Sequence, residues 1–119
     1  MDEIDDELLR THRQELRRGT VVLASLLALR TPGYGYALLT DLAGHDVPVD
    51  ANTLYPLLRR LEDQGLLTSE WNTEETRPRK VYRTSPAGEQ ILELLLADLD
   101  AITSSITSIR DHADRGDQR

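Results

Sequence analysis

Apolar positions recur at helical spacing through most of the chain and change to strand-like alternation in a single region. Over residues 4 to about 18, Ile4, Leu8, Leu9, His12 and Leu16 line one stripe, and acids crowd the first turn. That pattern predicts an amphipathic helix whose acidic start suits the helix dipole. Gly19 is a poor helix residue and predicts a break. Residues 21–29 are apolar nearly all round, which predicts a buried helix. Thr31-Pro32-Gly33 punctuates the chain, and Leu38, Leu39 and Leu42 then predict a short helix over about residues 34–43, with Gly44 as its C-cap.

Leu54, Leu57, Leu58 and Leu61 stand at i, i+3, i+4 and i+7, predicting a helix over about residues 50–64 that Gly65 closes. Pro56 would delete a backbone hydrogen bond inside a helix, so a first turn beginning near Asn52 or Thr53 is expected, where that loss is small. Residues 66–71 and 80–84 are short, partly alternating runs around a polar stretch at 72–79, which predicts a β-hairpin with a long turn. Ser85-Pro86 offers a hydroxyl cap and a proline at the first helical position. The helix it opens is expected to reach about residue 111. Its apolar residues Leu92, Leu95, Leu99, Ile102, Ile106 and Ile109 are spaced 3, 4, 3, 4, 3, a heptad seam.

Three compact helices followed by a two-stranded wing make a winged helix-turn-helix, so the fold class is mainly α with a small β-wing. The expected organisation has an N-terminal helix (1–18) supporting a dimer and a winged helix-turn-helix at 19–85. A C-terminal dimerisation helix (86–111) and a flexible polar tail (112–119) follow. Six apolar residues on one seam expose too much surface for a lone helix, which predicts a homodimer through Leu92, Leu95, Leu99, Ile102, Ile106 and Ile109. The N-terminal helix would assist.

Composition narrows the chemistry. A chain of 119 residues suffices for one domain with a real core. It has no cysteine, which excludes disulfides and thiolate chemistry, and its three histidines lack metal-ligand spacing. No metal and no cofactor is expected. No apolar run approaches the roughly 20 residues of a membrane span, and the acidic N-terminus is unlike a signal peptide, so a cytoplasmic protein without a membrane partner is expected.

A net charge of −7 by itself argues against nucleic acid. The charge is uneven, however: residues 50–83 carry six basic and six acidic side chains and are neutral. On the helix at 50–64, the face opposite the leucines holds Asn52, Pro56, Arg59 and Asp63, flanked by Thr53, Tyr55 and Arg60. Arginine can grip guanine, asparagine can read adenine, and hydroxyls can reach phosphates. Arg77, Arg79 and Lys80 on the wing would lie along the backbone or minor groove, although Glu74 and Glu75 share that turn. Each feature also has a plainer reading. The helix face could be ordinary solvated surface, Trp71 a structural anchor of the wing, and His12 a packed histidine. The carboxylates match no catalytic pattern and no phosphate-binding loop is present, so an enzyme is the least favoured class.

The run Thr53-Leu54-Tyr55-Pro56-Leu57-Leu58-Arg59-Arg60-Leu61-Glu62, then Gly65-Leu66-Leu67, Tyr82-Arg83 and Ala87-Gly88, resembles the PadR-like transcriptional regulators. Leu16-Arg17-Arg18-Gly19-Thr20 and Gly35-Tyr36 are similar to the family's first helix and second-helix entry, so the resemblance spans about residues 16–90. It implies a dimeric winged-helix repressor on a palindromic double-stranded DNA operator, of the short subclass with one C-terminal helix. The helix carrying the Thr-Leu-Tyr-Pro run would enter the major groove, the wing would touch the minor groove, and Tyr36 joins the expected DNA contacts. The chain departs from the family pattern at Asn52 (commonly Gly), Tyr34 (commonly His) and Asp50-Ala51 (commonly Ser-Pro), which bears on the operator sequence. Some relatives stack flat aromatic drugs on a tryptophan of the C-terminal helix, and this chain has no aromatic there, so any small-molecule effector is unknown. The residues leave three readings: a DNA-binding repressor, a winged-helix protein-interaction module using the acidic surface, and a dimeric scaffold.

Overall fold

The computed structural model describes residues 3–74 and 76–116. Along the chain come α1 (Asp6–Arg17), α2 (Thr20–Ala28), β1 (Gly33–Tyr34), α3 (Gly35–Gly44) and α4 (Ala51–Asp63). The wing strands β2 (Leu67–Asn72) and β3 (Arg79–Thr84) and the long α5 (Pro86–Asp114) complete it.

Local chemistry sets these boundaries. Asp5 Oδ1 accepts from the amides of Glu7 and Leu8 and so caps α1. Gly19, at φ 90°, makes the break before α2. Asp50 Oδ1 accepts from Thr53 N at 2.8 Å and starts α4 one residue earlier than Pro56 would prefer. Pro56 is therefore the sixth residue of α4, beyond the first turn, and the Asn52 carbonyl loses its i+4 donor. Ser85 Oγ accepts from Gly88 N at 3.0 Å and donates to the Gly65 carbonyl at 2.6 Å, tying the start of α5 to the turn after α4. Gly88 is required there, because a Cβ would stand 2.1 Å from the Leu66 carbonyl oxygen.

The sheet is antiparallel, ordered β1-β3-β2, with Leu67 opposite Thr84 and Asn72 opposite Arg79. The third strand is an addition to the expected hairpin. Gly33 and Tyr34 pair with Tyr82 and Val81, a two-residue bridge too short to show alternation. Thr84 joins the sheet to α2, donating from N to the Leu29 carbonyl (2.8 Å) and from Oγ1 to the Leu26 carbonyl (2.7 Å).

The core is nine leucines and Tyr82: Leu26, Leu29, Leu38, Leu42, Leu54, Leu58, Leu61, Leu67 and Leu92 complete it. Several expectations need correction. In α2 only Ser25 and Leu26 are fully buried, and Leu27 faces solvent, because the helix is covered on one side alone. The C-cap of α3 is His45 rather than Gly44, and the chain turns through Asp46 at φ 62°. The last helix continues through His112 to Asp114, three residues past its expected end. Helix α1 buries nothing, leaving Leu8 and Leu16 exposed and His12 unpacked. Ile4 precedes it. Among the described residues, no helix is long and apolar enough to cross a membrane.

Candidate nucleic-acid interface

Helix α4 turns Leu54, Leu58 and Leu61 into the core, which leaves Asn52, Pro56, Arg59 and Asp63 on the solvent side. Thr53 and Arg60 are exposed on one flank. Tyr55 is half-buried on the other, with its ring against α3: a Cβ on Gly35 would fall 2.6 Å from Tyr55 Cε1. Glycine at 35 thus makes room for this ring, which holds α4 against the start of α3.

The wing is fastened to α4 by a polar link. Ser69 Oγ donates to Glu62 Oε2 at 2.5 Å and Lys80 Nζ donates to Glu62 Oε1 at 3.3 Å. The Ser69 hydrogen bond, then Lys80, holds the Glu62 carboxyl below the usual carboxylate range against partial burial. Lys80 Nζ also lies 5.8 Å from the ring centroids of both Trp71 and Tyr82. Lys80 therefore sits in an internal contact, unlike Arg77, which is exposed in the turn between β2 and β3. Trp71 is 61% exposed and anchors no core, correcting the expectation for it. It follows Leu67 and Ser69 on the core-side face of β2, at a level where the hairpin has run past the core. Burial raises the Tyr82 hydroxyl above its ordinary range.

A second cluster occupies the opposite face of the wing. Tyr36, in the first turn of α3 and 48% exposed, stacks on Tyr34 with ring centroids 5.5 Å apart. The Arg79 guanidinium lies 4.6 Å from the Tyr36 ring centroid. Asn72 Nδ2 donates to Tyr34 Oη at 2.6 Å, and Asn72 Oδ1 accepts from Glu74 N. Tyr36 and Arg79, separated by more than forty positions, thus meet at the junction of α3 and the wing. Of the residues that build these two clusters, Tyr34 and Glu62 stood out only through the family resemblance, and Asn72 and Ser69 carried no signal of their own in the sequence. The wing register supplies it, because Asn72 and Arg79 are directly paired and share a face.

On α5 the expected seam divides. Leu92 is fully buried in the protomer's own core, so it leaves the list of interface residues, and Leu95 is half-buried. Leu99, Ile102, Ile106 and Ile109 are 46–65% exposed, and Ile91 and Leu94, outside the heptad spacing, are exposed beside them. The first turns of α5 pack on α2, where Arg30 Nε donates to Glu89 at 2.7 Å and Arg30 Nη2 to Glu93 at 2.6 Å. The Glu89 hydrogen bond leads in raising the Arg30 pKa.

Comparison with known proteins places this geometry. The chain is 46% identical over 59 residues to the transcriptional regulator Rv3488 of Mycobacterium tuberculosis, which covers 50% of this chain and 55% of that protein. The chain thus spans about half the length of this curated relative. A PadR family transcriptional regulator from Eggerthella lenta superposes with TM-score 0.84 at 46% identity, over 87% of this chain and 93% of that one. Bacillus subtilis PadR, solved in complex with operator DNA, superposes with TM-score 0.60 at 26% identity, over 65% of this chain and 45% of that one. The family model for the transcriptional regulator PadR-like family matches residues 22–94, which run from α2 through the wing into α5. With that span matched and the winged helix-turn-helix in place, this chain belongs to the PadR-like family of transcriptional regulators.

Proposed function

We propose that the chain is a sequence-specific DNA-binding regulator that represses transcription by occupying a palindromic operator as a homodimer. The observation that carries this reading is the outward face of α4, where Asn52, Thr53 and Arg59 stand exposed beside the wing. Asn52 or Arg59 reads a base edge in the major groove, and Thr53 meets phosphate. Tyr55 takes a positioning part through Gly35, with its hydroxyl toward the backbone. Pro56 and Arg60 border the groove contact. Arg77 reaches the backbone from the wing tip, and the Tyr36–Arg79 pair offers a hydroxyl and a guanidinium where α3 meets the wing. Lys80 acts mainly by holding the wing to Glu62. The Bacillus subtilis relative crystallised with operator DNA supports a DNA partner.

The dimer is supported by the free apolar surface. Leu99, Ile102, Ile106 and Ile109 on α5, with Leu8 and Leu16 on α1, form stripes that a lone protomer leaves in water. A two-fold axis between paired α5 helices would present each α4 twice and match a palindrome with half-sites about one helical turn apart.

The net charge of −7 favours a second reading, a protein-interaction module with little DNA contact. A mobility-shift titration with the DNA just upstream of the chain's own gene, at low and at physiological salt, separates the two. Saturable binding that weakens steeply with salt supports the regulator, whereas absence of a shift at low salt supports the interaction module.

A further inference from the structure

Helix α1 carries two opposed stripes. At 100° per residue, Leu8, His12 and Leu16 gather on one side, while Arg10, Arg13 and Arg17 recur at intervals of three and four on the other. No residue of α1 is buried, so core packing does not explain the arginine stripe. The stripe lines an open groove of about 1370 Å³ between α1 and the surface of α2 and α4. Its far wall includes Thr53, Pro56 and Arg60 of α4. The groove therefore continues directly from the face assigned to DNA.

Its charge is out of character for an acidic protein. Arg18 pairs with Glu15 at 3.0 Å, but no ion pair engages Arg10, Arg13, Arg17 or Arg60 among the described residues. Of the two acids lining the groove, Asp6 and Asp50, the latter is occupied in capping Thr53 N. These four exposed guanidinium groups gather along one channel with a single uncommitted carboxylate among them, which favours an anionic occupant over its basic rim. The seven steps from Arg10 to Arg17 rise about 10 Å along the helix, enough to spread three long side chains over neighbouring phosphates of one strand.

We propose that Arg10, Arg13 and Arg17 of α1 track the phosphate backbone of DNA outside the segment read by α4, extending the footprint beyond each half-site. This rests on the DNA-binding reading above. It adds a contact surface on a helix whose apolar side alone serves the dimer. The alternative occupant is the acidic α5 of a second copy, with Asp98 beside its apolar face.

The test uses the full chain and three proteins: the parent, R10Q/R13Q/R17Q and R10K/R13K/R17K. Each is titrated against the duplex upstream of its own gene, against that duplex trimmed at both ends to the half-sites, and against a mixed-sequence duplex of the longer length, over a series of salt concentrations. The substitutions are on exposed positions, and circular dichroism confirms folding. In the Gln variant the log–log salt slope on the longer duplexes should be shallower by up to about 0.9 for each lost phosphate contact, while the Lys variant keeps the parent's slope. Trimming should weaken the parent and leave the Gln variant unchanged. If the parent binds and the Gln variant matches its slope and its response to trimming, the inference falls while the DNA-binding reading stands. A Gln variant that sediments as a monomer where the parent is a dimer also overturns it, in favour of the α5 occupant. A parent that binds none of the duplexes overturns both.

Discussion

Glu62 is the residue on which the wing turns. It lies in the last turn of α4 and accepts from Ser69 on β2 and Lys80 on β3, so one carboxylate fixes the angle between the helix and the hairpin. Its pKa is lowered in the folded protein by those two donors. A depressed carboxyl contributes stability that is fully present above its unfolded value, near 4.5, and is lost as pH falls from there through the folded value. Thermal unfolding of the parent across this acidic window should therefore fall more steeply than that of Glu62→Gln, whose midpoint is lower at neutral pH and flatter below. Parallel curves would remove Glu62 from this role. Lys80 and Arg77 should differ for the same reason. Arg77→Ala is expected to flatten the salt dependence of DNA binding by about one phosphate contact per protomer. Lys80→Ala should chiefly lower the unfolding midpoint, leaving that slope nearly unchanged. The sequence placed both as basic wing residues, and nothing in it distinguished a lysine facing its own helix from an arginine at the tip. That distinction depends on the strand register, which a long polar turn leaves undetermined.

At the scale of elements, α5 illustrates what periodicity can and cannot reveal. The 3-4-3-4-3 spacing correctly marked one apolar stripe along a helix, but spacing alone does not tell which part of a stripe the protomer keeps for itself. Because α5 packs on α2 and β3 only near its start, Leu92 is swallowed by the core, while Ile102 lies beyond the last contact and is 59% exposed. The two positions should respond in opposite ways. Leu92→Ala is expected to cost about 2–5 kcal/mol in urea unfolding, the price of a core cavity. Ile102→Asp should leave secondary structure intact and convert the dimer into monomers by sedimentation. A monomeric parent at micromolar concentration would refute the assembly. Element order was legible because the caps Asp50 and Ser85, the breaker Gly19 and the leucine stripe of α4 act locally. Strand β1 was not, since two residues gain strand character only by pairing with Tyr82 and Val81, far along the chain. Pro56 misled in a similar way: the Asp50 cap outweighs a missing hydrogen bond inside a helix whose inner face is fully packed.

At the scale of the molecule, the chain is elongated, with extents of 65 × 34 × 22 Å, because the 29-residue α5 projects past the domain that its first turns help to close. The acidic and apolar outer part of α5 and the arginine-bearing surfaces of α4, the wing and α1 lie on separate elements, so a net charge of −7 is compatible with the proposed polyanionic partner. The sequence conveyed that separation for α4 and the wing. It concealed the arginine stripe of α1, because Asp6, Glu7 and Glu15 balance its three arginines and make the helix look neutral until the groove separates the faces. In the proposed function all of these surfaces serve one event, the seating of α4 in a major groove. A binding titration on the upstream DNA, comparing the parent with Asn52→Ala, Thr53→Ala and Arg59→Ala, bears on that event at its centre. These positions are exposed, so folding stability should change by no more than about 0.5 kcal/mol. On DNA the three should separate, with the base-reading residue losing about 1–3 kcal/mol on the parent sequence and relaxing discrimination at one position per half-site. Three variants that bind the upstream DNA as tightly as the parent would contradict the assignment of α4 as the reading helix.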